Sequence, residues 1–321
     1  MPSVTRDHSL QDRLIVLLGG TGFVGTHVAQ ELLARGARLR IVSRYPERAF
    51  RVKPLGNLGQ VQLLRGDMAR PETIVPALHG ADGVVNLVGV FGGAVEALHV
   101  TGPGKIAAAA TAAEVRAFVH ISAIGADADS SVAYARTKAG GEAAVRAGFA
   151  NATVLRPSIV FGPDDAFINR FAGLIGMLPA LPVFGSQAKL QPVFVDDVAL
   201  AVAAALTDPA KLGGMTFELG GPEVLTMLEL NQRIAAAQGR ERLFAALPDA
   251  VSGLFAAATG WLPGAPITSD QWTLLKAGNV VGSKAAGFKA LGITPRPLAL
   301  FLDRWMVRYR KHGRFGSRLP A

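Results

Sequence analysis

Tyr134 and Lys138 stand four residues apart in the run Tyr134-Ala135-Arg136-Thr137-Lys138. On a helix that spacing puts both side chains on one face. An ammonium beside a phenol favours the phenolate, drawing its pKa from about 10 toward the range useful for proton transfer. Ser122 closes an apolar run upstream, where its hydroxyl can hold a substrate oxygen. Ser122, Tyr134 and Lys138 therefore form a candidate catalytic set. A packed Tyr134 with an exposed Lys138 is the structural alternative.

A second group is Gly19-Gly20-Thr21-Gly22-Phe23-Val24-Gly25. Glycines at 19, 22 and 25 let the backbone turn sharply and approach a pyrophosphate, whose charge meets the free N–H groups of the helix that follows. Gly19, Thr21, Gly22, Phe23, Val24 and Gly25 are expected to touch a dinucleotide. An NAD site places Asp or Glu about 20 residues further on, against the ribose 2′-hydroxyl. This chain instead reads Ile41-Val42-Ser43-Arg44-Tyr45-Pro46-Glu47-Arg48, with no acid at the strand end. Arg44 and Arg48 can grip a 2′-phosphate in the two-pronged manner of a guanidinium, and Ser43 adds a hydroxyl donor. The expected cofactor is NADP(H); two surface arginines are the alternative.

These groups need a frame. Leu14–Leu18 is a continuous apolar run of the kind buried in a parallel sheet. Leu39–Ser43, Val61–Leu64, Val84–Val88, Phe118–Ser122 and Thr153–Leu155 repeat the signal. Helical patterns run through Val28, Leu32 and Leu33 to Gly36, over Ile106–Ala113 and over Lys138–Ala147. After Pro157 the rhythm loosens: Phe161–Gly185 is rich in Gly, Pro and Phe, and the chain reads as mainly helical from Thr226. The alternation predicts an α/β fold, a Rossmann-type doubly wound parallel sheet with a smaller, mainly helical C-terminal region. The expected organisation is a dinucleotide-binding domain over residues 1–160 and 191–225, with a substrate or lid region over 161–190 and 226–321.

Composition narrows the chemistry. Half of the 321 residues are hydrophobic and 18% are charged, which suits a folded core. The absence of cysteine excludes disulfides, thiolate metal sites and cysteine nucleophiles. Six histidines without HxxxH or HxH pairing argue against a metal site. No secretory signal and no run of about 18 apolar residues is present. The expectation is a soluble cytoplasmic protein, at the inner face of the membrane if its tail attaches there. Of the net charge of +9, most comes from Arg304, Arg308, Arg310, Lys311, Arg314 and Arg318, a stretch with no acid. Trp305, Met306, Tyr309 and Phe315 interleave with them, a pattern suited to an anionic membrane surface or a partner protein. A solvated end is the alternative. Nucleic acid is not expected, since the basic residues form no wider motif.

Along residues 14–222, the segments 19–25, 65–68, 84–89, 118–125, 134–138, 155–163, 191–198 and 218–222 resemble the extended and atypical short-chain dehydrogenases/reductases. Within that superfamily the chain is most similar to the nucleotide-binding accessory subunit family of respiratory complex I and its bacterial relatives. The resemblance implies cofactor contacts at the glycine loop and Arg44, at Asp67 and Met68 beside the adenine, and at Leu87, Val88 and Gly89. It also implies Lys138 on the nicotinamide ribose and Pro157, Ser158 and Ile159 near the nicotinamide. His99 stands where many extended members carry Asn, and Leu18 where many carry Thr. Asp67 as a cap and Asn86 as a polar group satisfied inside the sheet are alternative roles.

Two functions of different class follow. One is a carbonyl oxidoreductase using NADPH, linked to quinone or respiratory-chain function. The other is a structural or assembly subunit associated with respiratory complex I that holds NADPH without turnover. Sugar-nucleotide epimerisation fits less well, because the acid of an NAD-type site is missing and nothing past Thr226 suggests a sugar-nucleotide pocket.

Overall fold

A computed structural model describes residues 8–50, 52–260, 262, 267–311 and 313. In chain order the elements are β1 (Leu14–Leu18), α1 (Phe23–Ala34), β2 (Arg38–Ser43), β3 (Val61–Arg65), β4 (Gly83–Asn86), α2 (Gly102–Ala112), β5 (Ala117–Ile121), α3 (Ala133–Gly148) and β6 (Thr153–Pro157). There follow β7 (Val160–Phe161), α4 (Phe167–Met177), β8 (Ala180–Val183), β9 (Lys189–Leu190), β10 (Val193–Phe194), α5 (Val195–Thr207), α6 (Pro209–Leu212) and β11 (Thr216–Leu219). The last are β12 (Leu225–Thr226), α7 (Met227–Ala237), β13 (Leu243–Ala246), α8 (Asp249–Thr259), α9 (Ser269–Ala277) and α10 (Ala299–Met306).

The chain forms two compact units. The first takes the chain through Pro157 together with Val195–Leu219 and Gly282–Thr294. Its seven strands run in the order β11-β6-β5-β4-β1-β2-β3. Every pairing is parallel. The direction of winding reverses between β1 and β4, the doubly wound arrangement in which ligands bind beyond the carboxyl ends of the strands. Both faces of the sheet are covered, which is why the central strands read as unbroken apolar runs rather than alternating ones. On one face Val16, Leu18, Val84 and Phe118 join Ile106, Ala107, Ala110 and Val145 of α2 and α3 in a buried cluster. On the other, α1 packs on α5.

The edge strand β11 needs partners for its outward backbone groups. Gly282–Thr294 supplies them: Glu218 donates its N–H to Ala286 O at 2.8 Å, and Gly282 donates to Glu218 Oε2 at 2.8 Å.

The second unit takes Ser158–Phe194, Gly220–Val281 and the described residues from Pro295. Three short strand pairs lie in it: β7 with β10, β8 with β13 and β9 with β12. Some of its helices start beside capping groups written into the sequence. Asp165 accepts from the N–H of Ile168 at 2.6 Å ahead of α4, and Thr226 and Glu229 close a reciprocal capping box on α7. Helix α4 lies within Phe161–Gly185, where composition alone suggested only a loose segment.

The tail corrects an expectation. Over Arg304–Arg310 it is part of the second unit rather than a free end. Trp305 stacks on Phe301 with ring centroids 5.0 Å apart, and Phe301 stacks on Phe194 at 4.0 Å. Met306 is buried. Tyr309 donates its hydroxyl to Asn169 Oδ1 at 3.0 Å, and Arg310 donates to Ala237 O at 3.0 Å. Trp305 and Tyr309 are therefore packing residues, and Leu298, Phe301, Leu302, Trp305 and Met306 recur at helical spacing. Arg304, Arg308 and Lys311 stay exposed; Arg314, Phe315 and Arg318 lie outside the described residues.

Candidate functional site

The carboxyl ends of the first unit's strands bring together most of the residues singled out by sequence. After β1 the chain turns at Gly19, whose φ of +82° is the left-handed conformation that favours glycine. A Cβ on Gly25 would fall 2.6 Å from Gly19 O and from Gly20 Cα, so the loop and α1 touch backbone to backbone. Gly22 caps α1 with extended backbone and no side-chain hydrogen bond. The leading N–H groups of α1, at Phe23, Val24 and Gly25, thus face an end that no capping side chain closes, the arrangement an anion needs.

After β2, Ser43 Oγ lies 3.4 Å from Thr21 Oγ1 and accepts the N–H of Tyr45 at 3.2 Å. Arg44 and Arg48 are exposed and flank the Tyr45 ring, their guanidinium carbons 5.8 and 4.7 Å from its centroid. After β3, Asp67 accepts the N–H of Ala69 at 3.1 Å and pairs with Arg70 at 3.6 Å. Its backbone N–H donates to Thr73 Oγ1 at 2.9 Å. Met68 is buried in the core, close against the start of α2 at Gly102.

After β4, Leu87 donates its N–H to Leu18 O at 2.9 Å and Val88 donates to Asn86 Oδ1 at 3.1 Å. The Asn86 side chain turns the backbone out of the sheet, so the strand ends at Asn86 rather than at Val88. A Cβ on Gly89 would lie 3.2 Å from Lys138 Nζ, so a side chain at 89 would crowd the ammonium.

After β5 comes Ser122. Its N–H donates to Leu155 O at 2.8 Å, and its Oγ is buried with no hydrogen-bond partner. Helix α3 starts at Ala133, ahead of the helical pattern over Lys138–Ala147 but as expected for a helix that opens with the Tyr134–Lys138 run, so Tyr134 sits in the first turn and Lys138 one turn on. Lys138 Nζ donates to Ile121 O at 3.1 Å and lies 6.0 Å from the Tyr134 ring centroid. Burial draws the Lys138 pKa down to about 8, with Glu142 one turn further along opposing the shift. Burial pushes Tyr134 up to about 12. The expected downward pull on the phenol is therefore not found: one of the three Lys138 N–H donors goes to Ile121 O, and desolvation governs Tyr134.

Two histidines complete the surroundings. His120 Nδ1 meets Asn86 Nδ2 at 3.0 Å, and burial, reinforced by Lys138, lowers its pKa to about 3. His99 accepts the N–H of Val90 on Nε2 at 3.0 Å. Its Nδ1 therefore carries the proton and donates to Thr137 Oγ1 at 2.9 Å. Burial and then Lys138 lower its pKa to about 4. Phe91 stacks on Tyr134 with centroids 4.5 Å apart. Phe91 belongs to no motif and Thr137 fills an unassigned position between Tyr134 and Lys138, and only the tertiary structure gathers them here.

Pro157 accepts the N–H of Ile124 at 3.1 Å. In the second unit Asn279 Oδ1 accepts from Ser158 Oγ at 2.5 Å and from the N–H of Ile159 at 2.8 Å. The Ser158 hydroxyl is thus already engaged.

These features fit a dinucleotide: a glycine cradle with no room for side chains, an uncapped helix start and a buried hydroxyl awaiting a partner. Comparison with known proteins agrees. Mitochondrial NADH dehydrogenase [ubiquinone] 1 alpha subcomplex subunit 9 of Rattus norvegicus is 31% identical over 314 residues, 95% of this chain and 82% of that protein. A ceramide reductase of Caulobacter vibrioides is 27% identical over 240 residues, 74% of each chain. Among solved structures, the triphenylmethane reductase of Citrobacter sp. superposes with a TM-score of 0.73 at 21% identity, covering 91% of this chain and 99% of that one. Residues 15–220, from β1 through β11, match the NAD dependent epimerase/dehydratase family. Sheet order, glycine loop and sequence match thus lead to one assignment: this chain is a member of the NAD dependent epimerase/dehydratase family, within the extended short-chain dehydrogenases/reductases.

Proposed function

We propose that this chain binds NADP(H) and reduces a carbonyl group. The observation that carries the reading is Ser122 Oγ, which is buried at the end of β5 without a hydrogen-bond partner, as is Nε2 of the neighbouring His120. A buried hydroxyl left unsatisfied is costly, and a substrate oxygen would satisfy it. NADPH held at the glycine loop would supply a hydride to the carbonyl carbon, becoming NADP+ as the carbon–oxygen π bond opens onto the oxygen. Tyr134 gives its hydroxyl proton to the oxygen and regains one from water. With its pKa pushed up to about 12, the phenol holds this proton at neutral pH. Lys138 is assigned to the ribose, and Arg44, Arg48 and Ser43 to the 2′-phosphate.

The second reading is an NADPH-holding subunit of a respiratory complex. The rat relative's name supports it, together with an alignment over 95% of this chain. A permanently held ligand stabilises by mass action whether or not it reacts. Exposed Arg304, Arg308 and Lys311 would face the partner or an anionic membrane surface. Among the described residues no helix is long and apolar enough to cross a membrane.

NADPH affinity and NADPH oxidation against a panel of carbonyls and quinones test both readings. Turnover that Tyr134→Phe abolishes, with NADPH affinity retained, supports the enzyme. Turnover that survives Tyr134→Phe removes Tyr134 as proton donor. Tight NADPH binding with no turnover on any compound supports the holding subunit.

A further inference from the structure

Phe91 is 74% exposed, yet its ring stacks on Tyr134 with planes only 19° apart. An exposed ring laid on a half-buried phenol is not core packing. Its stem is fixed: His99 holds the N–H of Val90, and His99 is held by Thr137, in the same helical turn as Tyr134. Beyond the ring the chain is unhindered, since a Cβ on Gly92 or Gly93 would meet no atom within 4 Å. Gly93 also adopts a φ of +76°. From Leu87 to Val95 no side chain is polar, so the side chains on this side of the phenol offer a ligand only apolar contact.

We propose that Phe91 is a substrate-contacting residue whose ring, set against Tyr134, selects carbonyl compounds bearing a flat aromatic group. This inference rests on the carbonyl-reductase reading of Tyr134. Aromatic faces and edges attract one another beyond the area they bury. An aliphatic ketone of equal hydrophobicity gains none of that increment, and a sugar finds no hydrogen-bonding side chain on this wall.

The test is calorimetric titration of the NADP+-saturated protein with 2-acetylnaphthalene and with 2-octanone. The wild type is expected to bind the aryl ketone more tightly. Phe91→Ala should weaken that binding by roughly three- to tenfold. Its 2-octanone and NADP+ affinities should stay within about twofold, and Phe91→Trp should restore the aryl preference. Equal aryl-ketone affinity in wild type and Phe91→Ala, an equal loss for both ketones, or no aryl-ketone binding overturns the inference. Failure of the reductase reading looks different: the aryl preference and its loss in Phe91→Ala persist while no carbonyl supports NADPH oxidation.

Discussion

Lys138 donates its ammonium to the main-chain oxygen of Ile121, the residue immediately before Ser122. One hydrogen bond thereby ties α3 to the end of β5. The group that tunes the site also fixes the distance between the helix carrying Tyr134 and the strand carrying Ser122.

Removal of the Ser122 hydroxyl separates function from stability. The Oγ makes no hydrogen bond, so Ser122→Ala should leave stability unchanged or raise it by up to about 1 kcal/mol. Carbonyl turnover should fall by roughly 100-fold or more, as for other transition-state hydrogen-bond donors. Thermal unfolding and NADPH oxidation measured on one preparation check both halves.

Lys138 makes stability depend on pH in a defined window. Its folded pKa of about 8 lies below the 10.5 of the unfolded chain. Between these values the unfolded state binds more protons, so this residue's contribution becomes more favourable as pH rises. Below pH 8 both states are protonated, and the burial penalty stands in full. The melting temperature of Lys138→Met minus that of the wild type should therefore be largest below pH 8 and shrink toward pH 10. A difference independent of pH would show that the amine is not desolvated. Above pH 10 the raised Tyr134 pKa acts in the opposite direction, which sets the upper limit of the measurement.

Arg44 should decide between cofactors. Loss of a charge-assisted phosphate contact is worth about 1.5–3 kcal/mol, roughly tenfold or more in affinity. Arg44→Ala should weaken NADPH binding by that factor and leave NADH binding unchanged. Equal affinities of the wild type for the two nucleotides would count against the 2′-phosphate assignment before any variant is made.

Trp305→Ala should destabilise the second unit by about 3 kcal/mol, since the indole packs on Phe301 and Phe194. Arg304→Ala and Lys311→Ala, at exposed positions, should shift stability by less than about 0.5 kcal/mol. Chemical denaturation of the three variants distinguishes a packed helix from a solvated end.

The strands of the first unit were legible because a sheet covered on both faces leaves apolar runs with sharp ends. Leu14–Leu18 matches β1 residue for residue, and the other runs differ from their strands by one or two residues at an end. Helix starts were less legible. Gly102 and Pro103 open α2 but read as breakers, and Ala133–Thr137 offers helix propensity without an apolar rhythm. Local motifs gave Ser122, Tyr134 and Lys138 their places, but not their electrostatics. Whether Lys138 points at a phenol or at a carbonyl oxygen depends on how β5 packs against α3. The Phe91 stack and the Val90–His99–Thr137 chain join the loop after β4, the helical turn ahead of α2 and the start of α3, which no single window of sequence contains.

The first unit is discontinuous, and that has a consequence in time. Its edge strand β11 and the segment that satisfies it, Gly282–Thr294, follow Pro157 only after much of the second unit has been made. At roughly 5–20 residues per second, a ribosome needs on the order of 6 to 25 s to travel from Pro157 to Gly282. Until Leu219 is made the nascent sheet lacks its outer strand, and from there to Gly282 that strand stands without the segment that satisfies its edge. The growing chain is then a natural client for chaperones, and cofactor available during synthesis would reach the glycine loop before the sheet is closed.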